Sequence, residues 1–208
     1  MKVYILQLGE MANCTYVVEH KGKALIIDPT WDMKAIYKLI EEEKLTPEAV
    51  LFTHGHYDHV TGSHELMTKY KIKGYINAAD AYNSNLPEED LITYQGDYKA
   101  KIAGLNVEFL STPGHTKGSV CIKIGDILFT GDTLFPNACG RTDLPGSNPR
   151  EMSKSLQRLA KLPGKTIVYA GHSYGADGTG NTTIEKEVKN NPFIKMALRE
   201  PDNFEDII

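Results

Sequence analysis

The stretch Ala49-Val50-Leu51-Phe52-Thr53-His54-Gly55-His56-Tyr57-Asp58-His59 decides the reading of this chain. Its first four residues are apolar and fit the end of a short buried strand. Its last six hold four potential metal ligands: His54, His56, Asp58 and His59. Three more stand downstream in similar settings, His115 in Thr112-Pro113-Gly114-His115-Thr116, Asp132 in Thr130-Gly131-Asp132-Thr133, and His172 in Tyr169-Ala170-Gly171-His172-Ser173. Five histidines and two aspartates are enough donors for two metal ions. That count points to a metal-dependent hydrolase.

The segments around these clusters alternate between strand and helix. Val3–Leu8, Thr15–Glu19 and Ala24–Ile27 read as strands. From Asp32, the spacing of Met33, Ile36, Tyr37 and Ile40 predicts a helix to about Glu43. Val50-Leu51-Phe52 delivers the histidine run, followed by a helix near Gly62–Tyr70 and a strand at Gly74–Asn77. Residues 78–98 are polar and poorly periodic and read as a loop with short helices at most, a candidate rim or lid. Val107–Leu110 precedes His115, and Val120–Ile124 with Ile127–Thr130 forms a hairpin ending at Asp132. Asn148-Pro149-Arg150-Glu151 is a helix start, with Asn as cap and Pro first inside. Met152, Leu156, Leu159 and Ala160 form that helix's buried face. Thr166–Ala170 is a strand leading to His172, and Thr182-Thr183-Ile184-Glu185 reads as a capping box for a last helix that Pro192 limits.

Every ligand cluster therefore lies just past a predicted strand, on a glycine-bearing turn. A sheet fixes the starting points of such loops, so distant residues converge at low entropic cost. Imidazole and carboxylate donors suit Zn, Fe(II), Mn or Co, and one aspartate can bridge two cations. Two such ions lower the pKa of a shared water from 15.7 to about 7, which supplies a nucleophile at neutral pH.

Bulk properties fit a soluble enzyme of 208 residues, expected to form a single domain over 1–208. With a net charge of −4 and dispersed Lys and Arg, no nucleic-acid or membrane partner is expected. No segment has the roughly 18 apolar residues of a membrane span, and the N-terminus lacks a signal peptide's apolar run. Three cysteines without a CxxC pair fit a reducing, cytoplasmic setting. No oligomeric state is assigned.

His54-x-His56-x-Asp58-His59 followed by His115, Asp132 and His172 resembles the metallo-β-lactamase superfamily, over nearly the whole chain. The resemblance implies an α/β fold, the αββα sandwich of two mixed sheets flanked by helices. It places His54, His56 and His115 on one metal, Asp58, His59 and His172 on the other, and Asp132 between them. Asp58 where some antibiotic-degrading branches have a cysteine argues against those branches. The segments Gly131-Asp132-Thr133-Leu134-Phe135 and Cys139-Gly140-Arg141 are similar to glyoxalase II, a thioester hydrolase. That likeness implies a metal-bridging hydroxide as nucleophile, with Asp58 and Asp132 in the catalytic centre. It implies Arg141 and Tyr174 as contacts to a small thioester or thiol-derived substrate. It also implies two divalent ions, zinc first, with iron or manganese as alternatives. Asp143 departs from the pattern, standing where glyoxalase II has an aromatic contact.

Cys139-Gly140-Arg141-Thr142-Asp143 is also similar to the persulfide dioxygenases of the same superfamily. On that resemblance one Fe(II) would sit on His54, His115 and Asp132. Other residues have plainer expectations. His20 reads as a turn residue, His64 as a helix-surface or supporting residue, and Cys14 and Cys121 as core. Cys139 reads as a packed thiol, Trp31 as core or rim, and Arg141 equally as a structural partner of Asp143. Asp28, at a strand end, is a candidate support for a ligand.

Overall fold

The computed structural model describes residues 1–173, 181–200 and 204. The chain opens with three antiparallel strands, β1 (Lys2–Leu8), β2 (Asn13–His20) and β3 (Lys23–Ile27). α1 (Met33–Glu42) then crosses to β4 (Thr46–Leu51), which runs parallel to β3. Asp32 starts that helix, its carboxylate accepting from the Lys34 and Ala35 amides. The histidine run leads into a single turn, α2 (Tyr57–Val60), then α3 (Ser63–Tyr70), β5 (Lys73–Asn77) and α4 (Ala78–Ala81). Two 3₁₀ turns precede β6 (Leu91–Tyr94), and the first sheet has the order β1-β2-β3-β4-β5-β6.

The second sheet begins with β7 (Tyr98–Ile102), β8 (Leu105–Ser111), β9 (Val120–Ile124) and β10 (Ile127–Gly131), again antiparallel. A small hairpin, β11 (Leu134–Phe135) with β12 (Ala138–Cys139), follows. α5 (Pro149–Leu159) crosses to β13 (Ile167–Ala170), which is parallel to β10. β14 (Asn181–Thr183), α6 (Ile184–Asn190) and α7 (Pro192–Arg199) complete the described elements. The sheet order is β14-β13-β10-β9-β8-β7.

Alternation along the strands explains the layering. Tyr16, Leu25, Leu51, Phe109, Ile122 and Phe129 face inward and fill the space between the sheets. Tyr16 packs its ring 5.1 Å from that of Phe129 and donates its hydroxyl to the Ala170 carbonyl, 2.5 Å away. Full burial of one such large side chain stabilises the fold by about 1.5–3 kcal/mol. Ile26 and Val50 face the other way, against Met33, Ile36 and Ile40 of α1 and Leu66 of α3. On the far side, Leu128 and Val168 meet Met152, Leu156 and Leu159 of α5 and Ile194 of α7. The result is helix, sheet, sheet, helix, as the resemblance implied.

Three expectations need correction. Residues 78–98 contain, besides short helices, the strand β6 and the first residue of β7. Pro192 ends α6 but also opens α7 at its first turn, where its missing N–H has no bond to lose. The last capping site is shifted by one residue. Thr183 caps α6 by accepting from the Lys186 amide, while Thr182 donates to the buried Glu187.

Candidate metal centre

The structure brings all seven predicted donors together. His54 comes three residues after β4, His115 four after β8, Asp132 directly after β10 and His172 two after β13. Backbone bonds lock these loops across the sheets: Val120 N–H to Thr53 O at 2.8 Å, Gly171 N–H to Gly131 O at 2.8 Å, and Cys14 N–H to Gly171 O at 2.8 Å. The approach of Gly171 to Gly131 and Asp132 demands glycine, since a Cβ on Gly171 would collide with the Asp132 carboxylate.

The donors fall into two groups. His54, His56 and His115 form one, and Asp58, His59 and His172 the other. His115 Nε2 lies 2.9 Å from His56 Nδ1, and His59 Nε2 lies 3.2 Å from His172 Nε2. Asp132 lies between, its Oδ2 3.4 Å from His115 Nε2 and 3.3 Å from His172 Nε2, and its Oδ1 3.3 Å from His59 Nε2. Tetrahedral coordination with Zn–N bonds of 2.0–2.1 Å would put ligand atoms about 3.3 Å apart. The spacing fits a metal centre.

Hydrogen bonds on the outer ring nitrogens set the tautomers. Nδ1 of His59 faces Asp28 Oδ2 at 3.0 Å, Nδ1 of His115 the Arg141 carbonyl at 2.9 Å, and Nδ1 of His172 the Met11 carbonyl at 2.8 Å. Each partner only accepts, so each Nδ1 carries hydrogen, and in its neutral form each ring turns an Nε2 lone pair inward. Thr53 gives its hydroxyl proton to Asp28 at 2.6 Å, which leaves its oxygen to accept from His54 Nδ1 at 3.1 Å. His54 Nε2 is then a buried lone pair without a hydrogen-bond partner among the described residues. A buried polar atom left this way is costly unless something binds it. A cation would satisfy it.

Electrostatics differ between the groups. Burial, and then the charge of neighbouring imidazoles, pushes His54 and His56 below the usual histidine range. Burial also opposes charge on His59 and His172, but Asp132 outweighs it and raises both. Asp132 is itself held well below the carboxylate range, burial being overcome by His59 and the other surrounding imidazoles.

Several supporting residues lie behind these donors. Asp28, 2% exposed, also accepts from the Thr53 amide at 2.8 Å. Its support was anticipated; that of Asn13 and Asp80 was not. Asn13 is 1% exposed and donates to the carbonyl and Oδ2 of Asp58, at 2.9 and 3.0 Å. Its Oδ1 accepts from Trp31 Nε1 at 2.8 Å, which places the half-exposed indole on the rim, 6.0 Å from the Tyr57 ring. A cleft of about 120 Å³ opens beside His56, lined by Asp80, Asn83, Thr116 and Lys117. Larger hollows, such as the one of about 440 Å³ around Ala78 and Tyr82, contain none of the seven donors.

The other expected contacts fare differently. Arg141 points its guanidinium at Asp143 in two bonds of 2.9 and 2.8 Å, with both side chains exposed. Tyr174 lies outside the described residues. His64 pairs with Asp90 on the surface, away from the centre. Cys139 is half-buried against the core beside α5 and α7, and burial pushes its thiol up to about 12.

Two sheets between helical layers, with this donor set at the strand ends, define a metal-dependent enzyme of the metallo-hydrolase class. Residues 8–172 match the profile of the Metallo-beta-lactamase superfamily, and the chain belongs to that superfamily. A probable polyketide biosynthesis zinc-dependent hydrolase, BaeB of Bacillus velezensis, is 32% identical over 192 residues, 91% of this chain and 84% of its own. Among solved structures, ETHE1 from Myxococcus xanthus superposes with a TM-score of 0.87 at 30% identity, covering 100% of this chain and 89% of its own. TTHA1623, solved in a di-iron-bound form, gives 0.76 at 31% identity, over 91% and 99%. Among the described residues, no helix is long and apolar enough to cross a membrane.

Proposed function

We propose that the protein hydrolyses a small thioester with two divalent cations, zinc first and iron or manganese as alternatives. His54, His56 and His115 would hold one ion, and Asp58, His59 and His172 the other, with Asp132 shared. The observation that carries this reading is the placement of Asp132, whose Oδ2 is within 3.4 Å of a histidine from each group. Cations bound there would acidify water and polarise a carbonyl.

The chain's own residues prepare that chemistry. Asp28 and the Met11 and Arg141 carbonyls hold the Nδ1 hydrogens of His59, His172 and His115, so that each neutral ring would offer Nε2 to a cation. Asn13 fixes the Asp58 carboxylate through Oδ2. A thiolate leaving group, with a parent pKa of about 8.5, needs little help from a protein acid. The glyoxalase II-like segments around Asp132 and Arg141 support a thioester as the substrate class. Arg141 would reach an anionic thiol portion by leaving Asp143, and Arg141→Ala should then raise KM several-fold with metal content unchanged.

The direct test is thiol release from a panel of glutathione and coenzyme A thioesters by protein loaded with two zinc ions. Release from at least one is expected; a fully loaded protein that cleaves none would overturn the proposal. The likeness to ETHE1 and the Cys139–Asp143 loop support a second reading, a one-iron persulfide dioxygenase on His54, His115 and Asp132. One iron per chain with persulfide-dependent oxygen uptake would establish it instead.

A further inference from the structure

A buried carboxylate with no part in the chemistry above lies behind the first group of donors. Asp80, in α4, is 2% exposed. Its Oδ2 accepts from the Gly55 amide at 2.9 Å and the Thr116 hydroxyl at 2.6 Å, and its Oδ1 from the Gly118 amide at 2.8 Å. Gly55 separates His54 from His56, and Thr116 follows His115. These two loops leave different sheets, one after β4 and one after β8. One side chain from a third element therefore grips both.

The fit is close enough to dictate the neighbouring residues. A Cβ on Gly55 would stand 2.6 Å from the Asp80 carbonyl oxygen, and one on Gly118 2.5 Å from its carboxyl carbon. Ser119 closes the same turn, its hydroxyl accepting from the Thr116 amide at 3.1 Å. The outcome is the 2.9 Å approach of His56 Nδ1 to His115 Nε2.

We infer that Asp80 is the positioning residue of the His54, His56 and His115 half, so that this half can be weakened while the other keeps its cation. The inference rests on the two-cation reading only for the number of ions. Two physical effects act together. Removing the carboxylate strands three donors and lets two loops from different sheets part. It also removes a negative charge from behind three imidazoles that carry none when they ligate, and that charge favours a cation. Asp28 stands directly behind His59 of the other half and reaches His54 only through Thr53, whereas Asp80 grips the His56 and His115 loops of the first half alone.

The test is titration of metal-free protein with Co(II), followed by absorption, and with Zn(II), followed by equilibrium dialysis. The parent is compared with D80A, D80N and T116V, each checked for folding by circular dichroism. In D80A one ion should bind as in the parent and the other roughly 10–100-fold more weakly. D80N and T116V should weaken the same ion by less, and the Co(II) spectrum should lose only one component. Parental affinity for both ions in D80A overturns the inference. So does an equal loss at both, which marks general loosening of the fold. If neither Asp80 variant folds, T116V decides, and unchanged affinities there overturn it. A parent that binds one ion ends the two-cation reading, and Asp80 is then judged on that ion, whose affinity must fall at least tenfold in D80A.

Discussion

β3–α1–β4 in the first sheet and β10–α5–β13 in the second are built alike, a strand, a crossing helix and a parallel partner. An aspartate follows the first strand of each: Asp28 after β3 and Asp132 after β10. The two carboxylates face different ways. Asp28 turns to the backs of Thr53 and His59, whereas Asp132 lies among the inward Nε2 atoms of His59, His115 and His172. The backbone shows why. In the first half the left-handed residue is Asp28 itself, with φ of 46°; in the second it is Gly131, one residue before the aspartate, with φ of 48°. Moving the kink by one residue separates a carboxylate behind the imidazoles from one set among them. Asp28 bears a left-handed backbone that costs of order 1–3 kcal/mol in a non-glycine residue, offset by the three hydrogen bonds its carboxylate accepts.

The largest expected effect follows from Asp132. D132A should lower turnover by well over 100-fold and disturb both ions, measured as kcat together with metal per chain. D28A should lower affinity by roughly 10–100-fold for the ion held by His59, which Asp28 touches directly, and by less for the ion held by His54, which it reaches through Thr53. It should also destabilise the metal-free chain by about 3 kcal/mol in urea unfolding. Equal effects of the two variants on turnover and on both ions would break the comparison. A smaller effect sharpens it by asking what holds the second crossing helix. Arg158 of α5 makes two bonds of 2.7 Å to Asp97 and donates to the Ser111 carbonyl. The Arg158 hydrogen bonds hold the Asp97 carboxyl below its usual range. Its stabilisation is thus complete above the unfolded value of about 3.9 and fades as pH falls through the lower folded value. Because the pair is largely exposed, D97N should cost about 1 kcal/mol or less at pH 7. The gap between D97N and parent should narrow in unfolding curves taken at successively lower pH below about 3.9.

Much of this could be read from the residues in order. The donor run after β4, the downstream donors past their strands and the Asn148 cap all depend on local spacing, and the structure keeps them. β6 and β7 escaped because edge strands do not look apolar. Tyr98, Ala100 and Ile102 alternate with Lys99 and Lys101, the charged pattern that protects a sheet edge. Asp80 and Asn13 escaped for another reason. Nothing near them in the chain shows that Asp80 will meet Gly118, 38 positions away, or that Asn13 will meet Asp58 across 45. Asp80 did carry a faint signal, an acidic residue three positions after a strand end, as the ligand clusters themselves lie.

Trp31 has a practical consequence. It is the single tryptophan of the chain, and its indole N–H is joined through one amide, Asn13, to the Asp58 carboxylate. The protein therefore carries its own fluorophore wired to one half of the centre. Zinc arriving at Asp58 should shift the emission of Trp31, and filling only the other half should leave it nearly unchanged. Asn13→Ala should uncouple the two. A fluorimeter, with no dye attached, would then show which half is occupied.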